Sequence, residues 1–198
     1  MNELFARFVG ASRGVTACLS MALGLDEEEL WQHCTQGDTI SLMRLFRYFP
    51  YEVADGVQPD SGRIGSSPHT DWGWLTLIMQ QPDVVGLHVH HDDQWWEVPP
   101  VEGALATNIG DYVSILTQGA MVSPLHRVAT GTRERTSWVF FSYPDFDAKL
   151  PVIDNCKERY SLFQDQHRDH SGESDDAAGL PFGEFIRSKW MSVSRDVS

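Results

Sequence analysis

Between Ser41 and Tyr143 the chain breaks into short runs of β-branched and aromatic residues separated by clusters of Gly, Pro, Asp and Asn. Runs of that length bounded by turn residues make strands rather than helices. Strands are predicted near 42–49, 74–80, 85–90, 94–98, 103–108, 126–130 and 136–143. His91-Asp92-Asp93-Gln94 reads as a hairpin connection, and Gly110-Asp111 as a sharp turn. Tyr112–Leu116 fits either a helical turn or a strand. Seven or eight short strands in about a hundred residues point to a mainly β protein, a jelly-roll double sheet.

Helices flank this body. Leu4, Phe5, Phe8, Val9, Val15, Leu19 and Leu23 recur at helical spacing, which predicts one long amphipathic helix ended by Gly24. Asp26-Glu27-Glu28-Glu29-Leu30-Trp31 starts a second, with its acids on the favourable N-terminal turn. Asp165–Gly179 is polar and acidic and predicts a mobile loop. Phe182, Phe185, Ile186 and Trp190 predict a closing helix over Pro181–Met191. A single domain over 1–198 is expected: helical support in 1–40, jelly-roll core in 41–145, and tail and helix in 146–198.

Lys+Arg 15 against Asp+Glu 28 gives a net charge of -13, which repels phosphate backbones and argues against nucleic acid. The 3 cysteines, Cys18, Cys34 and Cys156, show no paired spacing and suit a reducing compartment. Met1-Asn2-Glu3 lacks the basic start of a secretory signal, and no apolar run approaches a membrane span. A soluble cytoplasmic protein without membrane partners is the expectation.

The chemistry concentrates in His69-Thr70-Asp71, in His126 55 residues beyond Asp71, and in Arg135-Thr136-Ser137 nine residues further on. Side chains i and i+2 of an extended segment share a face, so His69 and Asp71 can reach one ion while Thr70 points away. Pro68 helps to keep the approach extended. His126 brings the third donor from another strand. Two imidazoles and one carboxylate on one face leave coordination positions open, as in non-haem iron(II) oxygenases. A structural zinc site would close with four ligands, often cysteines, and no Cys-x-x-Cys is present. His-x-Asp alone is equally a buried histidine bonded to a turn aspartate; the larger constellation decides for metal.

Arg135 and Ser137 form a second i, i+2 pair leading into the apolar run Trp138–Phe141. An arginine fork binds carboxylate bidentately, and a neighbouring hydroxyl adds a third bond. Buried without an acidic partner such an arginine is costly, so a bound organic acid gives it a reason. The bland alternative is a solvated loop, Arg133-Glu134-Arg135.

Taken in order, Leu45-Phe46-Arg47-Tyr48-Phe49-Pro50, His69-Thr70-Asp71-Trp72-Gly73-Trp74-Leu75-Thr76-Leu77, Gly86-Leu87-His88-Val89, Trp96-Glu97-Val98-Pro99-Pro100, Asn108-Ile109-Gly110-Asp111, Ser123–Val128, Arg135-Thr136-Ser137 and Phe182-Gly183-Glu184-Phe185 resemble the isopenicillin N synthase-like branch of the iron(II)/2-oxoglutarate-dependent oxygenases. The resemblance runs from the first helix almost to the end. It implies a double-stranded β-helix, Fe(II) held by His69, Asp71 and His126, and 2-oxoglutarate held through its distal carboxylate by Arg135 and Ser137. It also implies a dioxygenase that consumes O2 and 2-oxoglutarate, releases succinate and CO2, and hydroxylates, desaturates or cyclises a small organic molecule.

Two departures from the family pattern bear on the site. Relatives carry further residues before the first helix, so the pocket here is expected to be open or completed by self-association. Relatives often place tyrosine before the proline, where Phe49 precedes Pro50 here; Arg47, two residues earlier, is the expected substitute anion contact. Asn108 is read either as a supporting contact to the iron site or as a turn cap. His88, His90 and His91 are read as a solvent-facing hairpin rather than a second metal site, and Asp111 as a turn residue. Trp72, Trp74, Trp95 and Trp96 are read as core and pocket wall, and Cys18 and Cys34 as inert. The rival readings are an iron oxidase of the same fold that does not use 2-oxoglutarate, and a non-catalytic jelly-roll binding protein. A zinc hydrolase ranks last for want of a general base.

Overall fold

A computed structural model describes residues 1–35, 37–51, 64–149, 153 and 180–195. The first helix, α1 (Asn2–Ala22), ends in a paired glycine cap. Gly24, at φ +80, donates to Met21 O at 3.0 Å, and Leu25 N donates to Ser20 O at 2.9 Å. That double closure needs a left-handed residue, which glycine adopts without a Cβ clash. The acidic run is mostly a turn: the Glu29 carboxylate accepts from Asp26 N at 3.3 Å, a capping-box contact, and α2 begins only at Glu29 (Glu29–Cys34).

Eight strands follow among the described residues: β1 (Leu42–Tyr48), β2 (Ile64–His69), β3 (Leu75–Gln80), β4 (Leu87–His91), β5 (Gln94–Glu97), β6 (Ala106–Ile109), β7 (His126–Ala129) and β8 (Arg135–Ser142). They pair antiparallel into two four-stranded sheets, β1-β8-β3-β6 and β2-β7-β4-β5. This is the expected jelly roll. The hairpin joining β4 to β5 turns through Asp92 and Asp93, both at positive φ (49 and 57), as a two-residue loop that follows strand twist requires. Tyr112–Leu116 resolves as helix, α3 (Asp111–Leu116). The closing helix α4 runs Phe182–Arg195. The loop expected at 165–179 lies outside the described residues.

Two expectations shift. Residues 102–103 turn, with Gly103 at φ +73 and Ala104 N bonded to Val101 O at 3.1 Å, and β6 starts at Ala106. Strand β2 was not expected, because Gly65-Ser66-Ser67-Pro68 has little strand propensity. Pairing with β7 creates it, with register shifts between Ile64 and Ser66 and between Ser66 and His69. At Gly65 a Cβ would lie 2.9 Å from the Tyr48 ring, so only glycine lets β2 cross there.

Two apolar clusters split the labour. The larger packs α1, α2, α3 and α4 against the β1-β8-β3-β6 sheet through Phe8, Leu30, Trp74, Leu77, Tyr112, Phe140, Phe182 and Ile186. The smaller, Ile78, Leu87 and Val139 with Phe46, Val98, Ala106, Val128 and Phe141 beside them, lies between the two sheets. On α1 the expected apolar residues are buried or half-buried, but Ser12, Thr16 and Ser20 are buried as well. The Trp74 indole donates to Thr16 Oγ1 at 2.9 Å, Ser12 Oγ donates to Ser142 Oγ at 2.7 Å, and Leu30 N donates to Ser20 Oγ at 3.3 Å. Hydroxyls so matched settle the helix on the sheet without orphaned donors. Among the described residues no helix is long and apolar enough to cross a membrane.

Candidate metal and organic-acid site

His69 and His126 are direct cross-strand partners of β2 and β7, which brings their ring centroids to 4.3 Å. Asp71 follows β2 into the turn before β3. Donor atoms of the three residues all lie within 4.8 Å of one another, the one such cluster of His, Cys, Asp and Glu among the described residues. Nε2 of His69 is 3.8 Å from Asp71 Oδ1, and Nε2 of His126 is 3.7 Å from Asp71 Oδ2. Each imidazole is held from its other nitrogen: Nδ1 sits 2.6 Å from Ser67 O for His69 and 3.0 Å from Pro124 O for His126. A carbonyl can only accept, so both Nδ1 atoms carry hydrogen and both Nε2 lone pairs are free for an ion.

Asp71 is 6% exposed and anchored from several sides. Asn108 Nδ2 donates to its Oδ2 at 2.9 Å, and its carbonyl accepts from Asp111 N at 2.7 Å. Asn108 thus supports the carboxylate and also donates to Ile109 O at 3.2 Å. Asn108 therefore touches Asp71 and its own turn, and no hydrogen bond to Arg135 or Ser137 is formed among the described residues. Asp111 does more than turn the chain. Its Oδ2 accepts from Thr70 Oγ1 at 3.2 Å and lies 3.6 Å from Lys189 Nζ of α4, tying the closing helix to the Asp71 segment.

Alternation in β8 sends Arg135 and Ser137 to the same side, 4% and 3% exposed. Their cross-strand partners on β1 are Tyr48 and Phe46, and Val139, next on that face, belongs to the cluster between the sheets. Arg135 therefore points into the jelly roll. Its Cζ lies 4.2 Å from the Tyr48 ring centroid, and a Cβ at Gly86 would fall 2.6 Å from its Nε. Glycine makes the guanidinium's berth. Arg135 Nη2 is buried with no hydrogen-bond partner among the described residues. Burial pulls the Arg135 pKa down, with Tyr48 opposing by charge and a hydrogen bond. A buried cation with a donor unmet among the described residues, in a berth that only glycine at position 86 leaves open, has the chemistry to accept an anion.

Arg47 does not join it. Its register partner is Thr136, so it faces outward, where it pairs with Glu134 at 2.9 and 3.0 Å and lies over the Phe49 ring at 4.9 Å. The residue missed is Tyr48. Phe46 and Tyr48 alternate inward while Arg47 and Phe49 alternate outward, so the tyrosine beside Arg135 stands one place earlier than the residue before Pro50. Period-two reading of β1 against Ser137 and Arg135 was the available signal.

The histidine cluster on β4 holds no metal arrangement. His90 packs edge-on against Trp95 at 5.0 Å, and His91 Nε2 pairs with Asp92 at 3.3 Å. His88 is half-buried rather than solvated; burial, then the Arg127 charge, lowers its pKa. Trp74 is core and Trp72 packs against it. Trp95 shares the outward face with His90 and carries Arg127 at 4.2 Å, so it is no pocket wall. Trp96 is 54% exposed.

A family model described as the 2OG-Fe(II) oxygenase superfamily matches residues 40–144. Among curated proteins the chain is similar to homoarginine-6-hydroxylase 2-ODD-C23.1 of Arabidopsis thaliana, 35% identical over 162 residues, covering 81% of this chain and 48% of that protein. Among solved structures it is similar to JOX2 in complex with 2OG, Fe and JA, at TM-score 0.67 and 25% identity over 94% of this chain and 54% of that one. It also shares the fold of a full-length Neurospora crassa protein in complex with alpha-KG and thymine, at TM-score 0.75 and 20% identity over 98% of this chain and 56% of that one. The chain spans about half the length of the curated relatives it matches. Since the matched residues 40–144 contain both the His69/Asp71/His126 cluster and the Arg135/Ser137 pair, the chain belongs to the 2OG-Fe(II) oxygenase superfamily.

Proposed function

We propose that the protein is an iron(II)- and 2-oxoglutarate-dependent dioxygenase of the isopenicillin N synthase-like branch, acting on a small organic molecule. His69 and His126 bind iron through Nε2 and Asp71 through a carboxylate oxygen, and Arg135 with Ser137 binds the distal carboxylate of 2-oxoglutarate. The observation that carries the reading is the buried Arg135 Nη2, without a hydrogen-bond partner among the described residues, facing from one sheet the interior that the nitrogen-nitrogen-oxygen donor set faces from the other. A protein that did not bind an acid there would leave a buried charge unmatched for no return.

The donor set fits iron(II). Two neutral imidazoles and one carboxylate leave a divalent ion with a net positive charge and open positions, the arrangement suited to an anionic chelating keto acid. Bound there, iron would supply the redox chemistry by which O2 is reduced while 2-oxoglutarate loses CO2 to become succinate and the substrate is oxidised. The chain's own residues do the positioning. Asn108 occupies one lone pair of Asp71 Oδ2 and keeps the carboxylate from swinging. Ser67 O and Pro124 O fix both imidazole tautomers. Tyr48 and Gly86 hold the Arg135 fork in one orientation, so the acid enters in one register.

Relatives that bind 2-oxoglutarate together with iron support this reading over an oxidase that does without the keto acid. The test is succinate formation from labelled 2-oxoglutarate by the iron-loaded protein in air, run beside calorimetric titration of 2-oxoglutarate into anaerobic Fe(II) protein. Binding with slow decarboxylation is the expected result. Tight iron binding without any affinity for 2-oxoglutarate would refute it: oxygen uptake would then favour the iron oxidase, and no uptake the non-catalytic protein.

A further inference from the structure

The inner face of the jelly roll carries a second arginine that the iron and 2-oxoglutarate do not use. Alternation on β1 puts Arg44 on the same face as Phe46 and Tyr48, and its register partner is Val139, a member of the cluster between the sheets. Strand β1 is the edge of its sheet, so Arg44 is exposed although it faces inward. Its Cζ lies 5.7 Å from the centroid of the Phe141 ring. Four other cations have a carboxylate partner: Arg7 with Glu3, Arg13 with Glu28, Arg47 with Glu134 and Lys189 with Asp111. Arg44 has no carboxylate within ion-pair distance among the described residues, in a chain of net charge -13.

Its position relative to the metal cluster follows from register. Phe141, Thr76 and Asn108 sit side by side across β8, β3 and β6, and Asn108 holds Asp71. Two strand spacings, roughly 10 Å, therefore separate the Phe141 backbone from the residue that supports the metal ligand. Along the same face Arg135 lies four residues from Val139, roughly 13 Å away at strand rise. The two arginines stand at different places around the iron position, one deep and one at the rim. Tyr143, just past the end of β8 and packed against Phe182, feels both Asp71 and Arg44: burial, then the Asp71 charge, push its pKa up to about 12, and Arg44 opposes them.

We infer that Arg44 anchors an anionic group of the oxidised substrate, which makes that substrate a small acid whose apolar body lies over Phe141. The inference rests on the oxygenase reading above and adds the substrate's charge class to it. Arg135 serves the cosubstrate acid from inside; Arg44 serves the substrate acid from the rim. A solvated arginine merely covering Phe141 would give no preference between an acid and its neutral isostere.

The experiment uses the anaerobic Fe(II) protein with saturating 2-oxoglutarate. Phenylacetate, 3-phenylpropanoate and indole-3-acetate, with their primary amides, are titrated by calorimetry and by the shift each causes in the visible band of the Fe(II)–2-oxoglutarate complex. At least one acid is expected to bind 10-fold or more tightly than its amide. Arg44→Gln should reduce that ratio to near 1, Arg44→Lys should keep part of it, and Arg47→Gln, outside the jelly roll, should leave it intact. Equal binding of every acid and amide by the unaltered protein, no binding of any acid, or an acid preference that survives Arg44→Gln would each overturn the assignment. So would a loss of 2-oxoglutarate affinity in Arg44→Gln as large as the loss for the acid, since Arg44 would then belong to the cosubstrate. Failure of the unaltered protein to bind 2-oxoglutarate is a different result: it removes the oxygenase reading and this one with it.

Discussion

Replacing Arg135 with methionine separates a ligand-binding arginine from a structural one. In the free protein Arg135 is 4% exposed, with Nη2 unmatched among the described residues. An unsatisfied buried donor costs about 1–3 kcal/mol, and methionine of similar length removes that cost. The contact with the Tyr48 ring at 4.2 Å disappears too, a loss of about 0.5–2 kcal/mol. The two nearly cancel, so Arg135→Met should shift stability by no more than about 1–2 kcal/mol, and Tm by a few degrees, at about 2–4 °C per kcal/mol for a chain of this size. Binding behaves differently. Two charge-assisted hydrogen bonds to a carboxylate, at about 1.5–3 kcal/mol each, make 2-oxoglutarate at least roughly 100-fold weaker at about 1.4 kcal/mol per decade. Arg135→Lys keeps the charge and loses the fork, and should fall between. Calorimetry on the anaerobic Fe(II) protein and a thermal melt of the free protein provide both numbers. A melt lowered by 10 °C or so, the mark of a broken buried ion pair, together with unchanged 2-oxoglutarate affinity, would show that the arginine is structural.

Asp71→Ala should abolish iron binding and turnover, whereas His90→Ala, packed on Trp95, should leave both nearly intact; equal losses would mean that the metal centre lies elsewhere. Asn108→Ala removes the donor to Asp71 Oδ2 and should weaken iron roughly 10–100-fold with little change in 2-oxoglutarate affinity, read by competition with a chromogenic chelator. Gly86→Ala puts a methyl 2.6–2.8 Å from the Arg135 guanidinium and should weaken 2-oxoglutarate while sparing iron, a split that titration of each ligand detects. Tyr143 has its pKa raised to about 12 against about 10 in an unfolded chain, so the folded metal-free protein holds that proton longer than the unfolded one. Stability is therefore full below pH 10 and falls between pH 10 and about 12; Tyr143→Phe should flatten that limb in denaturant titrations at high pH.

Much of the site was legible because it obeys period two. His69 with Asp71, and Arg135 with Ser137, are i, i+2 pairs, and a strand leaves such pairs no choice but to share a face. In β1 the same rule holds, but the sequence leaves its phase open. Arg47 and Phe49 do share a face, but register with β8 turns that face to solvent and puts Tyr48 inside. A lone strand's sequence does not say which face is in when both carry aromatic residues; its neighbour decides. Strand β2 was illegible for a related reason. Gly65-Ser66-Ser67-Pro68 has no propensity to show, and its extended form comes from pairing with β7 and from the space that Gly65 leaves for Tyr48. Burial of Ser12, Thr16 and Ser20 on α1 is not legible in the helix's own pattern, because burial of a hydroxyl depends on a partner on another element, here Ser142, Trp74 or Leu30.

The two apolar clusters explain how a site with an unmet buried cation coexists with a stable fold. Helices α1, α3 and α4 bury the large aromatics on the outer face of the β1-β8-β3-β6 sheet, where Trp74, Tyr112, Phe140 and Phe182 are almost wholly enclosed. The face between the sheets keeps only a small apolar group around Ile78, Leu87 and Val139, flanked by Arg135, Ser137, Asn108 and His126. Hydrophobic burial scales with apolar area, so stability is concentrated on the side of the sheet away from the chemistry. Substitutions between the sheets should then alter binding more than folding, and Phe140→Ala the reverse, with a loss of about 3–5 kcal/mol. Phe140 and Phe141 are adjacent on β8 and point to opposite faces, which makes them the sharpest comparison. Phe141→Ala should melt close to the unaltered protein yet lose whatever lies over its ring, and a larger melting loss for Phe141→Ala than for Phe140→Ala would invert the division of labour between the two faces.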